Sequence, residues 1–329
     1  MDAILNWGNN VIVFLQSLGS WLIGPMNFFS LFGNELFFMF VAPALFWCVD
    51  AALGMRAGLG LMLSLSMNAI FKLAFHAPRP YWIDARVQPF SSEYSFGIPS
   101  GHSQNSVVLW SLVAERVRRP LGWVLAIVMI LLVSFSRIYL GMHFPSDVLA
   151  GWVFGILLVW AFVRLEQPVY NWLQQRPLAA QVSIVFAASL GLILAGALVR
   201  GSLGDWEPPS GWVELAARQP DGAPIAPLAL SGLVSSAATF FGLALGGILL
   251  LRRGWLDAGG PYWQRLVRFL VGVAGVFIIR YGLDMIFPDG ETFIPLIFRY
   301  LRYAIIGLWV AYLAPLCFFR LKIAHPKYQ

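Results

Sequence analysis

Charge is scarce in this chain, and so is cysteine. Of its 329 residues 12% are charged, whereas 59% are hydrophobic and the mean hydropathy is +0.73. A soluble domain of this length could not bury that much apolar surface, so the composition excludes one and indicates a polytopic membrane protein. The only two cysteines, Cys48 and Cys317, lie far apart in apolar runs, which argues against a disulfide and for two small buried hydrophobes. The net charge of +6 comes from short basic clusters between apolar runs. Without a continuous basic face or a recognition motif, a nucleic-acid partner is excluded. No cationic region precedes the first apolar segment and no small-residue cleavage pattern follows it, so no removable signal peptide is expected. The sequence also lacks the carboxylate cluster of a two-metal site, and neither a metal nor a cofactor is expected.

What is present is a series of long apolar runs. Residues 1–33 are amphipathic and broken by glycines and Pro25, which fits a helix lying in the membrane interface. From Asn34 onward nine runs are long enough to cross roughly 30 Å of hydrocarbon. They centre on 34–52, 56–76, 101–117, 121–138, 145–164, 179–199, 227–251, 267–287 and 295–319. The expected fold is therefore all-α, a polytopic membrane bundle. It divides into the interfacial segment 1–33, a core 34–177 and a four-helix extension 178–329. Alternate connections are rich in Arg and Lys (Arg116, Arg118 and Arg119; Arg252 and Arg253; Arg320 and Lys322), and the others carry Asp84, Glu93, Asp205, Glu207, Asp289 and Glu291. By the positive-inside rule the N-terminus is outside and the C-terminus cytoplasmic.

Polar residues gather at four helix ends on the outer side of that arrangement. Lys72 and Arg79 close one span, Pro99–His102 open the next, Arg137 closes a third, and His143–Asp147 open a fourth. Two of these ends are helix N-termini, where free N–H groups and the positive dipole favour an anion. With Lys72, Arg79 and Arg137 added, the arrangement suits a dense negative charge such as phosphate. Charges at this depth are costly and point to function. Two histidines suggest the reaction. His143, with Asp147 four residues on, is the candidate nucleophile; His102 is the candidate acid for the leaving oxygen and later the base that activates water. Asp147 would fix the tautomer of His143 and stabilise its cation.

Lys72-x6-Arg79-Pro80, then Pro99-Ser100-Gly101-His102, then Ser136-Arg137-x5-His143-x3-Asp147, resemble the three-part signature of the type 2 phosphatidic acid phosphatase and vanadium haloperoxidase superfamily. The resemblance implies a phosphohistidine on His143, protonation by His102, orientation by Asp147, and phosphate binding by Lys72, Arg79, Ser100, Gly101 and Arg137. The signature covers residues 72–147. The nine spans, RPYW at 79–82, SRIYL and HFP within 136–145, and TFFGLALG at 239–246 also resemble the glucose-6-phosphatase branch. That branch lacks a carboxylate four residues after its nucleophile and ends in a double lysine, whereas this chain has Asp147 and ends HPKYQ. The departure favours a lipid phosphate or diphosphate, in a bacterial-type inner membrane, over a sugar phosphate.

Simpler roles stand beside these. Arg79 or Arg137 alone could be a snorkelling end residue, Ser100 an N-cap, Gly101 a point of close approach, and His76 a structural hydrogen-bonding residue. In the extension, Arg280 and Asp284 have the spacing of an intrahelical ion pair. Arg299 and Arg302 are candidates to bind a second anionic group of the substrate. The acidic, proline-rich stretch 201–227 reads as an outer interfacial loop. The expected partners are a phosphorylated lipid or other phosphorylated substrate and membrane lipid; no span shows a decisive self-association face. The other classes compatible with the residues are a sugar phosphatase, a vanadate-dependent haloperoxidase and a non-catalytic lipid transporter.

Overall fold

The computed structural model describes residues 2–327; Tyr328 and Gln329, which end HPKYQ, lie outside the described residues. The chain is predominantly helical, with long non-helical connections such as 84–100 and 217–230. Its helices are α1 (Asp2–Ser17), α2 (Ile23–Leu31), α3 (Glu35–Cys48), α4 (Ala51–Phe75), α5 (Pro80–Ile83), α6 (Gly101–Val117), α7 (Pro120–Tyr139), α8 (Pro145–Gln174), α9 (Leu178–Ser202), α10 (Ser210–Ala216), α11 (Ser231–Leu251), α12 (Tyr262–Asp284), α13 (Phe293–Leu308) and α14 (Ala314–Arg320). A π turn over Trp309–Leu313 joins α13 to α14. The short strands β1 (Trp255–Leu256) and β2 (Pro326–Lys327) pair antiparallel.

Seven helical stretches among the described residues are long and apolar enough to cross a membrane, or eight if the N-terminal pair of helices, bent by 93°, is one broken span. They correspond to seven of the nine runs in the sequence. The helices of the other two, α3 and α6, have 14 and 17 residues, short of the roughly 20 that span the hydrocarbon. In α6 the reason is chemical: Ser103, Gln104, Asn105 and Ser106 form its opening turns and are buried as polar groups within the protein. These residues are spent on a polar interior, where a lipid-facing span would carry apolar ones.

The chain forms two compact units. One comprises the N-terminal residues through Phe37, Met67–Val159 and Gly196–Ala229. In it α2 and α6 pack on α7, and α10 packs on α5. The stacked rings of Phe71 and Phe154, with centroids 4.2 Å apart, join α4 to α8. Aromatic contacts also bring the 201–227 stretch onto this unit: Trp212 lies 5.8 Å from Trp82, and Trp206 lies 5.4 Å from Phe96.

The other unit comprises Phe38–Ser66, Trp160–Ala195 and the chain from Leu230 onward. Its seam is between α11 and α13. Gly242 and Gly246, one turn apart, face Gly307 and Ala311; a Cβ on Gly246 would come 2.6 Å from that of Ala311. Small residues at this spacing let two helix backbones approach closely, the mode by which helices pack in lipid. The glycines of TFFGLALG are thus packing residues. Trp47 anchors the same unit, donating its indole N–H to the carbonyl of Val310 at 2.9 Å.

The spacing of Arg280 and Asp284 suggests a pair within one helix, but the structure corrects this. Asp284 instead accepts from Arg302 on α13, with Asp289 3.9 Å from the same guanidinium, while Arg280 donates to the Tyr303 hydroxyl. A solvated (i, i+4) pair is worth only about 0.2–0.5 kcal/mol, whereas an unpaired buried charge costs several. Arg302 is 4% exposed, so it claims the carboxylate. Its charge is balanced within the extension, and its burial requires no substrate anion. Arg299 is half-buried on the same helix.

Candidate active site

Two helix starts are tied together at the centre of the first unit. The backbone N–H of Ser100, before α6, donates to the carbonyl of Asp147 in the first turn of α8 at 2.9 Å. Ser100 is the N-cap of α6: its Oγ accepts the Ser103 N–H at 3.4 Å and the Ser103 hydroxyl at 3.1 Å. Gly101 follows because Asn68 of α4 approaches there; a Cβ would meet its Oδ1 at 3.1 Å. Asn68 in turn donates to Gln104 Oε1 at 2.9 Å and to the Pro99 carbonyl at 3.3 Å, pinning the turn.

At the start of α8, Pro145 takes the first helical position and the Asp147 Oδ2 reaches back to the N–H of Phe144 at 3.0 Å, a capping-box arrangement. The same Oδ2 lies 3.3 Å from His143 Nδ1. One carboxylate oxygen therefore both caps the helix and orients the imidazole. His143 sits there because α7 ends in a tight reversal through Gly141 (φ +75°), with the N–H groups of Met142 and His143 returning to the carbonyl of Arg137 at 3.0 and 3.2 Å. A Cβ at Gly141 would also strike the Gln88 carbonyl at 2.5 Å, so glycine is required twice over.

The cations converge on this point. Arg79 is fully buried and donates from Nε to the Ser95 carbonyl at 2.6 Å, from Nη1 to the Met142 carbonyl at 3.1 Å, and from Nη2 to Ser95 Oγ and the Phe96 carbonyl, both at 3.2 Å. Its Nη1 is also 3.3 Å from His143 Nε2. Lys72 donates to Ser95 Oγ at 2.8 Å. Arg137, 1% exposed, donates to Ser30 Oγ and to Glu93 Oε1, both at 2.7 Å. His102 Nδ1 lies 3.9 Å from the same Glu93 oxygen.

The structure thus brings together Lys72, Arg79, Ser100, Gly101, His102, Arg137, His143 and Asp147. It adds Glu93, Ser95, Asn68 and Ser30, which the sequence pattern did not single out. Glu93 carries the most weight. Burial opposes its charge, but Arg79 and Arg137 beside it prevail and hold its carboxyl down at about 2. His143, in the connection between α7 and α8, is pushed well below its ordinary value by burial first and then by Arg79, Lys72, Arg137 and His102. It is therefore a neutral base at neutral pH. With Nδ1 facing Asp147, its Nε2 carries the lone pair.

The N-terminal segment also reaches this point. Ser30 of α2 holds Arg137, Gln16 of α1 donates to the carbonyls of Gln88 (2.8 Å) and Tyr139 (3.0 Å), and a Cβ on Gly33 would strike His102 Cδ2 at 2.9 Å. His76, which could have faced the site, is exposed and bonds the Ala74 carbonyl. No group of three or more His, Cys, Asp or Glu able to hold a metal exists among the described residues.

Comparison with known proteins gives two family matches. Residues 53–170 match the PAP2 superfamily, and residues 234–326 match the PAP2 superfamily phosphatase transmembrane extension. Among curated relatives, the undecaprenyl-diphosphatase of Sulfolobus acidocaldarius is 29% identical over 150 residues, 44% of this chain and 71% of that protein. Glucose-6-phosphatase 3 of Bos taurus is 28% identical over 232 residues, 62% of this chain and 63% of the relative. A Bacillus subtilis PAP2-type phosphatidylglycerolphosphate phosphatase of known structure superposes with a TM-score of 0.43 at 24% identity, over 51% of this chain and 89% of that one.

Proposed function

We propose that this chain, which belongs to the PAP2 superfamily, is a membrane phosphatase that hydrolyses a lipid phosphate monoester or diphosphate through a phosphohistidine. The observation that carries the reading is the His143 imidazole, held by Asp147 at Nδ1 while Nε2 faces Arg79. In this mechanism Nε2 attacks phosphorus as the leaving oxygen takes a proton from His102. His102 then removes a proton from water, whose oxygen attacks phosphorus and frees His143. Lys72, Arg79 and Arg137, with the Ser100 hydroxyl and the N–H of Gly101 at the start of α6, balance charge on the phosphoryl oxygens. Asp147 supports the cation that forms on His143.

A lipid substrate is favoured by the membrane setting, by the orienting carboxylate at Asp147, and by a relative named for undecaprenyl diphosphate. A sugar phosphate is the second reading, favoured by the longer overlap with glucose-6-phosphatase 3. The charge pattern of the connections supports a site on the non-cytoplasmic side of the membrane. Purified protein should release phosphate from members of a panel comprising undecaprenyl diphosphate, phosphatidate, phosphatidylglycerol phosphate, a sphingoid phosphate and glucose 6-phosphate. His143→Ala should abolish that release and the acid-labile phosphoenzyme trapped by rapid quench. Wild-type turnover without a phosphoenzyme would refute the covalent route; no release from any member would refute the phosphatase reading.

A further inference from the structure

Glu93 is a charged group beside the site that the mechanism leaves unused, and its position is unusual. Its two oxygens divide between the two buried arginines, Oε1 at 2.7 Å from Arg137 Nη2 and Oε2 at 3.5 Å from Arg79 Nη2, with Oε1 also 3.9 Å from His102 Nδ1. These are three of the groups assigned above to the phosphate and its leaving oxygen. A planar carboxylate bridging two guanidinium groups beside an imidazole makes the contacts that two phosphoryl oxygens would make. We infer that Glu93 is an internal stand-in for the substrate phosphate, occupying the cradle between turnovers, leaving it when substrate binds, and returning to displace the inorganic phosphate produced. This inference rests on the phosphatase reading.

Geometry separates a stand-in from a permanent counter-ion. Arg79 does not need Glu93 for its orientation, because Ser95, Met142 and Phe96 already hold all three of its nitrogens, and the Glu93 contact is the longest of the set. Arg137 is secured by Ser30, and its buried Nε has no acceptor among the described residues, so donor capacity remains for an incoming oxyanion. The carboxylate has a route out, since the Glu93 side chain keeps 23% of its exposure whereas those of the two arginines have 0% and 1%.

The backbone around Glu93, by contrast, is fixed. Its N–H donates to Gln219 Oε1 at 3.1 Å, its carbonyl accepts from the Tyr81 hydroxyl at 2.9 Å, and Tyr94 bonds Asp221 through its hydroxyl and the Ala226 N–H through its carbonyl. The outer stretch after α10 therefore pins the main chain and leaves the side-chain torsions to do the exchange. The loop need not open. A cradle of three cations would otherwise retain the phosphate it has just released, and an attached anion at high effective concentration counters that retention.

Glu93→Gln keeps the shape and removes the charge. In the full-length protein in detergent, orthovanadate and orthophosphate should inhibit this variant at concentrations at least tenfold below those needed for wild type. A permanent counter-ion predicts the reverse, weaker inhibition, because the arginines would lose their alignment. Carbodiimide-driven amide coupling to Glu93 of the wild-type protein, read by mass spectrometry, requires no variant and should increase with vanadate bound. Unchanged or weaker inhibition of E93Q overturns the inference, as does labelling that vanadate leaves unchanged or reduces. If E93Q does not fold, the labelling result decides. A wild type that neither hydrolyses phosphate esters nor binds vanadate overturns the phosphatase reading and this inference with it, whereas a wild type that does both leaves the variant and labelling results to bear on Glu93 alone.

Discussion

Asp147→Asn tests the division of labour at His143 most directly, because the side chain has two partners that respond differently. The Phe144 N–H at 3.0 Å needs only an acceptor, and an amide oxygen supplies one, so the cap of α8 survives. The His143 Nδ1–H at 3.3 Å can also donate to that oxygen, so tautomer and ring orientation persist. What disappears is the negative charge beside an imidazole that, in the proposed mechanism, becomes cationic when it attacks. A hydrogen bond to a charged group is worth about 1.5–3 kcal/mol net. At about 1.36 kcal/mol per factor of ten, kcat should fall about 10- to 150-fold. The contact is longer than the roughly 2.7–2.9 Å of a tight N⁺–H···O⁻ bond, which favours the lower part of that range. KM should change little, since Asp147 is not among the residues assigned to the phosphate. Steady-state phosphate release measures both constants, and thermal unfolding in detergent shows whether the fold is intact. The reasoning fails if kcat is unchanged, or if the loss lies in KM alone. Asp147→Ala is the useful contrast: it also strands the buried Phe144 N–H, costs about 1–3 kcal/mol of stability and should lower the unfolding midpoint, which D147N should not.

Two further outcomes follow from the same geometry. Because burial and the neighbouring cations depress His143, its neutral form persists to lower pH than for an ordinary imidazole. The acid limb of kcat/KM, corrected for ionisation of the substrate, should therefore fall below about 6.5; a limb above that value would contradict a neutral, buried nucleophile. Gly151→Ala places a Cβ 2.7 Å from the Ser100 carbonyl and 3.1 Å from Ser103 Cβ, forcing α8 off α6 where the Ser100 N–H meets the Asp147 carbonyl. Overpacking of this kind costs about 1–3 kcal/mol, so both the unfolding midpoint and kcat should drop, whereas Gly191→Ala, with nothing within 4 Å, should leave both intact.

The part of the site that could be read from the sequence consists of residues at helix ends with fixed spacing. Arg137, His143 and Asp147 lie within one turn-and-helix start, so local geometry alone brings them together. Lys72 and Arg79 flank one helix end in the same way. Glu93, Ser95, Ser30 and Asn68 were not legible, because each arrives by tertiary folding from a loop or helix whose local pattern has no reason to mark it. Glu93 in particular reads as an outer-loop acid useful only for orientation. Charge balance was the available signal: Lys72, Arg79 and Arg137 in an apolar setting, with only Asp147 opposing them, need another carboxylate when no ligand is bound. Glu93, nine residues before His102, is the acid in the intervening stretch closest in sequence to the histidine.

Residues 1–33 show why amphipathicity alone underdetermines a segment. Trp7, Trp21 and Leu31 are exposed at 58%, 71% and 55%, as an interfacial helix would have them, yet Ile12, Met26 and Ser30 are buried. The same alternation of exposed and buried faces serves a helix lying on lipid and a helix packed against protein, because both require one apolar face. What distinguishes them here is a small set of polar and close contacts: Gln16 to the carbonyls of Gln88 and Tyr139, the Tyr139 hydroxyl to the Gly19 carbonyl at 2.7 Å, and Ser30 to Arg137. None is periodic, so none contributes to a hydrophobic pattern. The segment is consequently more than a membrane contact. By fixing Arg137 through Ser30, and by leaving room at Gly33 for His102, it sets the position of a cation and of the proposed acid, and Arg137 and His102 are two of the groups that meet the Glu93 carboxylate.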